Sequence, residues 1–348
     1  MAPGGTIPPC TPHLMFRRPG LAAPHAAVPL PATADMDKEG EERRLRLSDL
    51  EWVADLSEGA SEVVTKVRLR GGTAGPAFAL KVAHYPDDTD AGREQDEVLR
   101  RACGAGPPSP YVVRCHAVLR GAGGEPACLL ELMDAGSLHD VLRRRGGRAG
   151  LPEPALAEVA TRCALGLARL HARGVAHLDL KPDNLLASAR GDVRIADFGV
   201  SRIFSRDGHR SPRLSNEQKW ENVRTTAYMS PERFAPNAHV GPRGAYAADV
   251  WSLGVTVLEL FLGHRTVLPA ERTPSWKMLK EAIYYGDPPS VPDSAAASAE
   301  LRGFVAACVQ KDPRRRATVP QLLAHPFVAR RDVEASRRAL GEIIVETM

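Results

Sequence analysis

The short apolar run Phe78-Ala79-Leu80-Lys81-Val82 carries a lysine near its end, and three later segments carry acids and an amide. These are His177-Leu178-Asp179-Leu180-Lys181-Pro182-Asp183-Asn184, Asp197-Phe198-Gly199 and Ser230-Pro231-Glu232. An ammonium is a point charge suited to phosphate oxygens, and carboxylate and amide oxygens are the ligands that Mg²⁺ prefers. Each segment is weak by itself. Lys81 alone reads as a solvated strand end, and Asp179 or Asp197 alone as a turn-former. Their joint order, followed by Asp249-Val250-Trp251-Ser252-Leu253-Gly254 and by Arg316, is not a pattern that chance supplies.

The elements around these residues fall into two kinds. Ser61–Arg70 alternates around Val63, Val64, Val67 and Leu69, the period of a strand. Phe78–Val82, Val112–Leu119 and Ala127–Leu132 are further strands, with a turn at Gly71–Pro76. Arg93–Ala102 reads as a helix broken by Gly104–Pro110. After residue 134 the pattern is helical. Leu156, Val159, Cys163, Leu167 and Leu170 share one stripe, and Asp249–Leu262, Leu301–Val309 and Val319–Leu323 are further helices. Strands first and helices afterwards imply an α+β protein of two lobes. Residues 48–132 form the mainly-β lobe, 133–327 the mainly-α lobe, and 328–348 a helical tail. Residues 1–47 read as a disordered arm rich in Pro and Ala.

Composition narrows the function. Hydrophobic residues make up 43% of the 348 and charged residues 25%, ordinary for a globular chain. A net charge of +4, mixed along the chain, gives no argument for nucleic acid. The closest approach to a membrane span, Val250–Leu262, is interrupted by Ser252 and Glu259. The six cysteines form no C-x-x-C pair, which suggests reduced thiols in the cytoplasm or nucleus. A Pro-rich organellar leader carrying Arg17 and Arg18 is the weaker alternative. A monomer without membrane attachment is expected.

The four segments, in order, resemble the protein-kinase signature set. Ser109-Pro110-Tyr111-Val112-Val113-Arg114-Cys115-His116, Ala227-Tyr228-Met229-Ser230-Pro231-Glu232-Arg233, Gly286-Asp287-Pro288-Pro289 and Gln321-Leu322-Leu323-Ala324-His325-Pro326-Phe327 narrow it. They look like the MAP kinase kinases of plants, and most like their atypical branch of the MAP kinase kinase 10 type. The resemblance implies the bilobal protein-kinase fold and transfer of the γ-phosphoryl of MgATP to Thr and Tyr of a MAP kinase, under an upstream MAP kinase kinase kinase. It implies that Lys81 holds the α- and β-phosphates, that Asp179 accepts the substrate proton, and that Lys181 reaches the γ-phosphate. Asn184 and Asp197 would hold Mg²⁺. Leu130 falls at the gatekeeper position, and the backbones of Glu131 and Met133 would bind adenine. Thr225 would link Asp179 and Lys181, and Glu232 would pair with Arg316.

Several positions depart from that pattern. The phosphate-covering loop reads Ser57-Glu58-Gly59-Ala60-Ser61-Glu62-Val63-Val64, so only Gly59 and Val64 remain of its signature. Bulk at Ser57 and Glu62 hinders close approach of phosphate, and Glu58 and Glu62 repel it. The helix residue that should pair with Lys81 is Gln95, with Glu94 available only by a one-residue slip. Leu178 stands where the family has an Arg that gathers a phosphorylated loop. Counting back from Thr225 gives Glu221 and Ser215 at the two phosphosites, with Arg224 in place of a Gly and a basic loop of Arg202, Arg206, Arg210, Arg213 and Lys219. These changes predict an enzyme not switched on by double phosphorylation. A pseudokinase that docks a MAP kinase is the rival reading. Arg43-Arg44-Leu45-Arg46-Leu47 resembles a docking motif, unless its leucines simply begin the first strand; Arg17-Arg18-Pro19-Gly20-Leu21 is a looser version. Ser211-Pro212 and Thr11-Pro12 are minimal proline-directed sites.

Overall fold

The computed structural model describes residues 45–58, 62–71, 75–83, 97–104, 107–121, 126–146, 150–204, 226–234, 241–267 and 275–348. Gly59, Gln95 and Thr225, with Glu94, Ser211, Ser215, Glu221 and Arg224, lie outside them, as do residues 1–44.

Strands β1 (Leu50–Glu58), β2 (Glu62–Leu69), β3 (Ala77–Ala83), β4 (Cys115–Arg120) and β5 (Pro126–Glu131) form one antiparallel sheet in the order β1-β2-β3-β5-β4. Side chains alternate across a strand, and here the alternation decides where the chemistry lies. Phe78, Leu80 and Val82 pack with Val67, Leu119, Ala127 and Leu129 on one face. Lys81 is thereby left on the other face, level with Val64 of β2 and Cys128 of β5. Leu45 and Leu47 are also packed against the apolar face. They are thus held inward, but they do not begin the first strand: β1 starts at Leu50, and Leu47 opens a short 3-10 turn, Leu47–Asp49.

Two strand and helix expectations shift. Val112 lies outside β4 and makes a parallel bridge to Ile195. Val113 N–H donates to the Ile195 carbonyl at 2.9 Å, and Ile195 N–H to the Tyr111 carbonyl at 2.9 Å. This segment therefore ties the sheet region to the strand leading to Asp197. The described part of the helix near residue 100 widens into a π-type turn at Arg100–Gly104.

The rest is mainly helical, with two small sheets of short strands: α1 (Leu138–Arg144), α2 (Glu153–Ala172), α3 (Pro242–Leu262), α4 (Trp276–Lys280), α5 (Ala299–Cys308), α6 (Val319–Leu323), α7 (Pro326–Ala329) and α8 (Val333–Glu346). The α2 stripe Leu156, Val159, Cys163, Leu167 and Leu170 is buried. The third helix starts earlier than Asp249, because Pro242 pre-sets the first helical turn, and it stops at Gly263, whose φ of 77° only glycine adopts readily. It is long and apolar enough to cross a bilayer by length and composition, yet most of it is buried inside the protein. Its buried Asp249, Ser252, Thr256 and Glu259 all have hydrogen-bond partners there. Helix α8 packs along α2, where the buried Glu158 receives Arg162 at 2.8 Å and Arg331 at 3.3 Å.

Arg316 is fully buried and forks onto Glu232, at 2.8 and 3.0 Å, while its guanidinium covers the Trp251 ring. Removing one partner strands a buried charge. Arg316→Leu should lower stability by about 3–5 kcal/mol in urea unfolding, and adding Glu232→Leu should recover part of the loss.

Candidate active site

Lys81 leaves the sheet on the face away from the apolar cluster and meets two carboxylates. Its ammonium lies 2.7 Å from Glu62 Oε2 and 2.8 Å from Asp197 Oδ1. Burial pulls the lysine down, but the carboxylates of Asp197 and Glu62 outweigh it and hold it above its ordinary value. Burial pushes Asp197 up, and the Lys81 charge, its hydrogen bond and the Gly199 N–H more than reverse that. Asp197 therefore stays ionised well below the usual carboxylate range.

Asp197 has a φ of 61°, a left-handed conformation that Asp tolerates better than most residues. Gly199 N–H donates to Asp197 Oδ1 at 3.0 Å, and a Cβ on Gly199 would sit 3.1 Å from that oxygen. Phe198 is buried, edge-on to the His177 ring.

Asp179 lies on the loop between β6 (Val175–Ala176) and β7 (Leu185–Ala187). Its Oδ2 accepts Lys181 at 2.9 Å and Asn184 Nδ2 at 3.0 Å. Its Oδ1 is buried and accepts no hydrogen bond among the described residues. Burial raises the Asp179 carboxyl, and the Lys181 charge and hydrogen bond only partly oppose this. A buried carboxylate with one open oxygen is suited to take a proton. Asn184 Nδ2 also donates to the Asp179 carbonyl at 2.8 Å, and Ala196 N–H donates to the Asn184 backbone carbonyl at 2.9 Å, which holds the backbone of Asn184 beside the segment that leads to Asp197.

The loop is held from below by Asp249 of α3. Its carboxylate accepts His177 N–H at 2.9 Å and Leu178 N–H at 2.6 Å, and lies 2.8 Å from His171 Nε2. Burial raises this carboxyl and the His171 contact reverses the effect, so it remains an acceptor. Leu178 has a φ of 65°, a strained state for a bulky residue, costing on the order of 1–3 kcal/mol. Asp249 and Arg233, which donates to the Leu178 carbonyl at 2.8 Å, hold it there. The Leu178 side chain packs with Ala176, Phe204, Ala245 and Tyr246.

Above the site, Val64 pairs with Lys81, and Leu130 pairs with Ala79. Leu130 packs with Val113, Met133 and Ala196. Glu131 N–H donates to the Arg114 carbonyl at 2.9 Å, its carboxylate holds Arg194 at 2.6 Å, and the Met133 carbonyl accepts Gly136 N–H at 3.3 Å.

The protein kinase domain family model matches residues 52–328. Mitogen-activated protein kinase kinase 9 of Arabidopsis thaliana is 40% identical over 284 residues, which are 80% of this chain and 84% of the relative. Mitogen-activated protein kinase kinase 7 of the same plant is 37% identical, over 88% of this chain and 94% of the relative. Its kinase kinase 10 is 36% identical, over 82% and 86%. The chain is a protein kinase of the plant MAP kinase kinase family.

A protein kinase uses ATP and a divalent metal, and the residues fit both. Asp197 and Asn184 carry oxygens of the kind that hold a divalent metal, and Lys81 and Lys181, each paired with an acid of this group, carry charge for phosphate. Lys81, the Asp179-Lys181-Asn184 segment and Asp197 converge in this kinase, with Lys81 and Asp197 116 positions apart. Glu62 was foreseen only as a barrier to phosphate; its bond to Lys81 is new. The signal was available, since Glu62 is two residues from Val64 and therefore shares its face. Arg233 beneath the loop was also not foreseen.

Asp197 is held below its unfolded value, so its stabilising contribution is complete at neutral pH and is lost as pH falls from about 4 through the folded value. In Lys81→Met the carboxyl stays buried without its cation, and its pKa rises. The variant should be most destabilised relative to the parent near pH 7, with the difference shrinking towards about pH 3. Urea unfolding at the two pH values measures this.

Proposed function

We propose that this protein is an atypical MAP kinase kinase that moves the γ-phosphoryl group of MgATP onto Thr and Tyr in the activation loop of a MAP kinase. The observation that carries the reading is the open, buried Oδ1 of Asp179 beside Lys181, Asn184 and the lysine-held Asp197. In this role Asp179 accepts the hydroxyl proton of the substrate, and Lys181 and Lys81 neutralise charge on the phosphates. Mg²⁺ supplies further charge neutralisation when bound by Asn184 and Asp197. Leu130 borders adenine, which the Glu131 and Met133 backbones bind; Gly59, Val64, Gln95 and Thr225 keep the roles that the family resemblance gives them.

The same reading holds that double phosphorylation of the loop is not the switch. A phosphorylated loop needs a cation to gather it. Leu178 offers none and instead packs against Phe204, at the start of that loop, and Ala245 of α3. An upstream MAP kinase kinase kinase is then a partner rather than the sole activator. The protein works as a monomer in the cytoplasm or nucleus, apart from membranes. Its docking peptide is the Arg17-to-Leu21 segment or, with Leu45 and Leu47 released, the Arg43-to-Leu47 segment.

A second reading, a scaffold that docks a MAP kinase with little chemistry, is favoured by one observation: Glu62 occupies the ammonium of Lys81. Incubation with a panel of MAP kinases and MgATP separates the two. Lys81→Met and Asp179→Asn should each lower phosphorylation by about 100-fold or more, and equal phosphorylation by all three proteins would favour the scaffold. Ser215→Ala should leave activity unchanged, with or without an upstream kinase. Strong activation that requires Ser215 would contradict the atypical switch.

A further inference from the structure

We infer that Glu62 is an internal substitute for nucleotide phosphate, an acid on the tip of β2 that holds the site closed and must be displaced for ATP to bind. This rests on reading the site as a nucleotide site. Glu62 is the first residue of β2, at the position where the phosphate-covering signature has its last glycine. In the β2–β3 register Glu62 faces Ala83 and Val64 faces Lys81, so Glu62 and Lys81 are diagonal neighbours on one face of the sheet. A glutamate is long enough to close that diagonal, and the resulting contact is 2.7 Å.

A partner reaching Lys81 from its own helix would leave the strand side open to phosphate. Glu62 instead arrives from the strand that carries the phosphate-covering turn. Its carboxylate has the charge sign and the oxygen acceptors of a phosphate and satisfies the ammonium as one would. Among the described residues, Lys81 has ion-pair contacts to Glu62 and Asp197 alone. These three groups, one ammonium and two carboxylates, sum to a charge of −1. The Glu62 side chain is 31% exposed, so it can turn out to solvent without breaking the core. Nucleotide binding therefore exchanges one charge-assisted bond of Lys81 for another, and much of the gain that phosphate would have on a free ammonium is cancelled.

The test is direct binding of MgATP to the full chain, read by calorimetry so that no turnover is needed. The proteins are the parent, Glu62→Gln, Glu62→Gly, Glu62→Asp and Glu62→Gln with Lys81→Met, each first checked for folding by circular dichroism. Glu62→Gln and Glu62→Gly should bind about tenfold tighter than the parent, ~1.4 kcal/mol. Glu62→Asp, too short to reach while keeping the charge, should gain less. The gain should shrink when Lys81 is methionine. If the parent binds and Glu62→Gln binds equally or more weakly, the inference is overturned while the kinase reading stands, because Glu62 then supports Lys81 or does nothing. If no folded variant binds, the nucleotide-site reading falls and this inference falls with it.

Discussion

One ammonium joins the two halves of the chemistry. Lys81 stands on the central strand of the sheet, and Asp197 belongs to the helical region that follows. Their 2.8 Å contact draws together residues 116 positions apart. It also keeps Asp197 ionised despite burial, because the cost of taking a carboxylate out of water is offset only by a nearby cation and by N–H donors. The sheet register, the bridge from Val112 to Ile195 and the left-handed turn at Asp197 all serve to make that contact. Glu62 shares the same ammonium, so one side chain both builds the site and is contested within it.

A second constraint lies beneath. Asp249 is wholly buried and takes two backbone N–H groups of the loop that carries Asp179. Without those bonds a leucine would not remain at positive φ. With them, the next residue, Asp179, faces Lys181 and Asn184. The strain at Leu178 is thus part of how the carboxylate is aimed. Its side chain turns into an apolar cluster with Phe204, a contact that needs no phosphate to form.

Much of this was legible in the sequence. The apolar run Phe78–Val82 marked the strand that carries Lys81, and the joint order of the acidic segments, through the kinase resemblance, pointed to Asp179, Asn184 and Asp197. The α2 stripe was visible because apolar residues repeat at helical spacing over many turns. What escaped notice was the product of register and rotamer. Glu62 shares a face with Lys81 by parity, but only the β2–β3 pairing sets the distance between them. Arg233 meets the Leu178 carbonyl across 55 residues of chain, which no local pattern encodes. The early start of α3 at Pro242 was missed because its first turns, Arg243-Gly244-Ala245, lack an apolar stripe.

The central claim is that Lys81 is a phosphate-binding ammonium shared between Asp197 and its rival Glu62. A crystal structure with Mg²⁺ and a non-hydrolysable ATP analogue tests it most directly. The account predicts Lys81 Nζ within hydrogen-bond distance of the α- or β-phosphate, Asp197 on the metal, and Glu62 turned to solvent. Glu62 still bound to Lys81, with the triphosphate lying elsewhere, would contradict it.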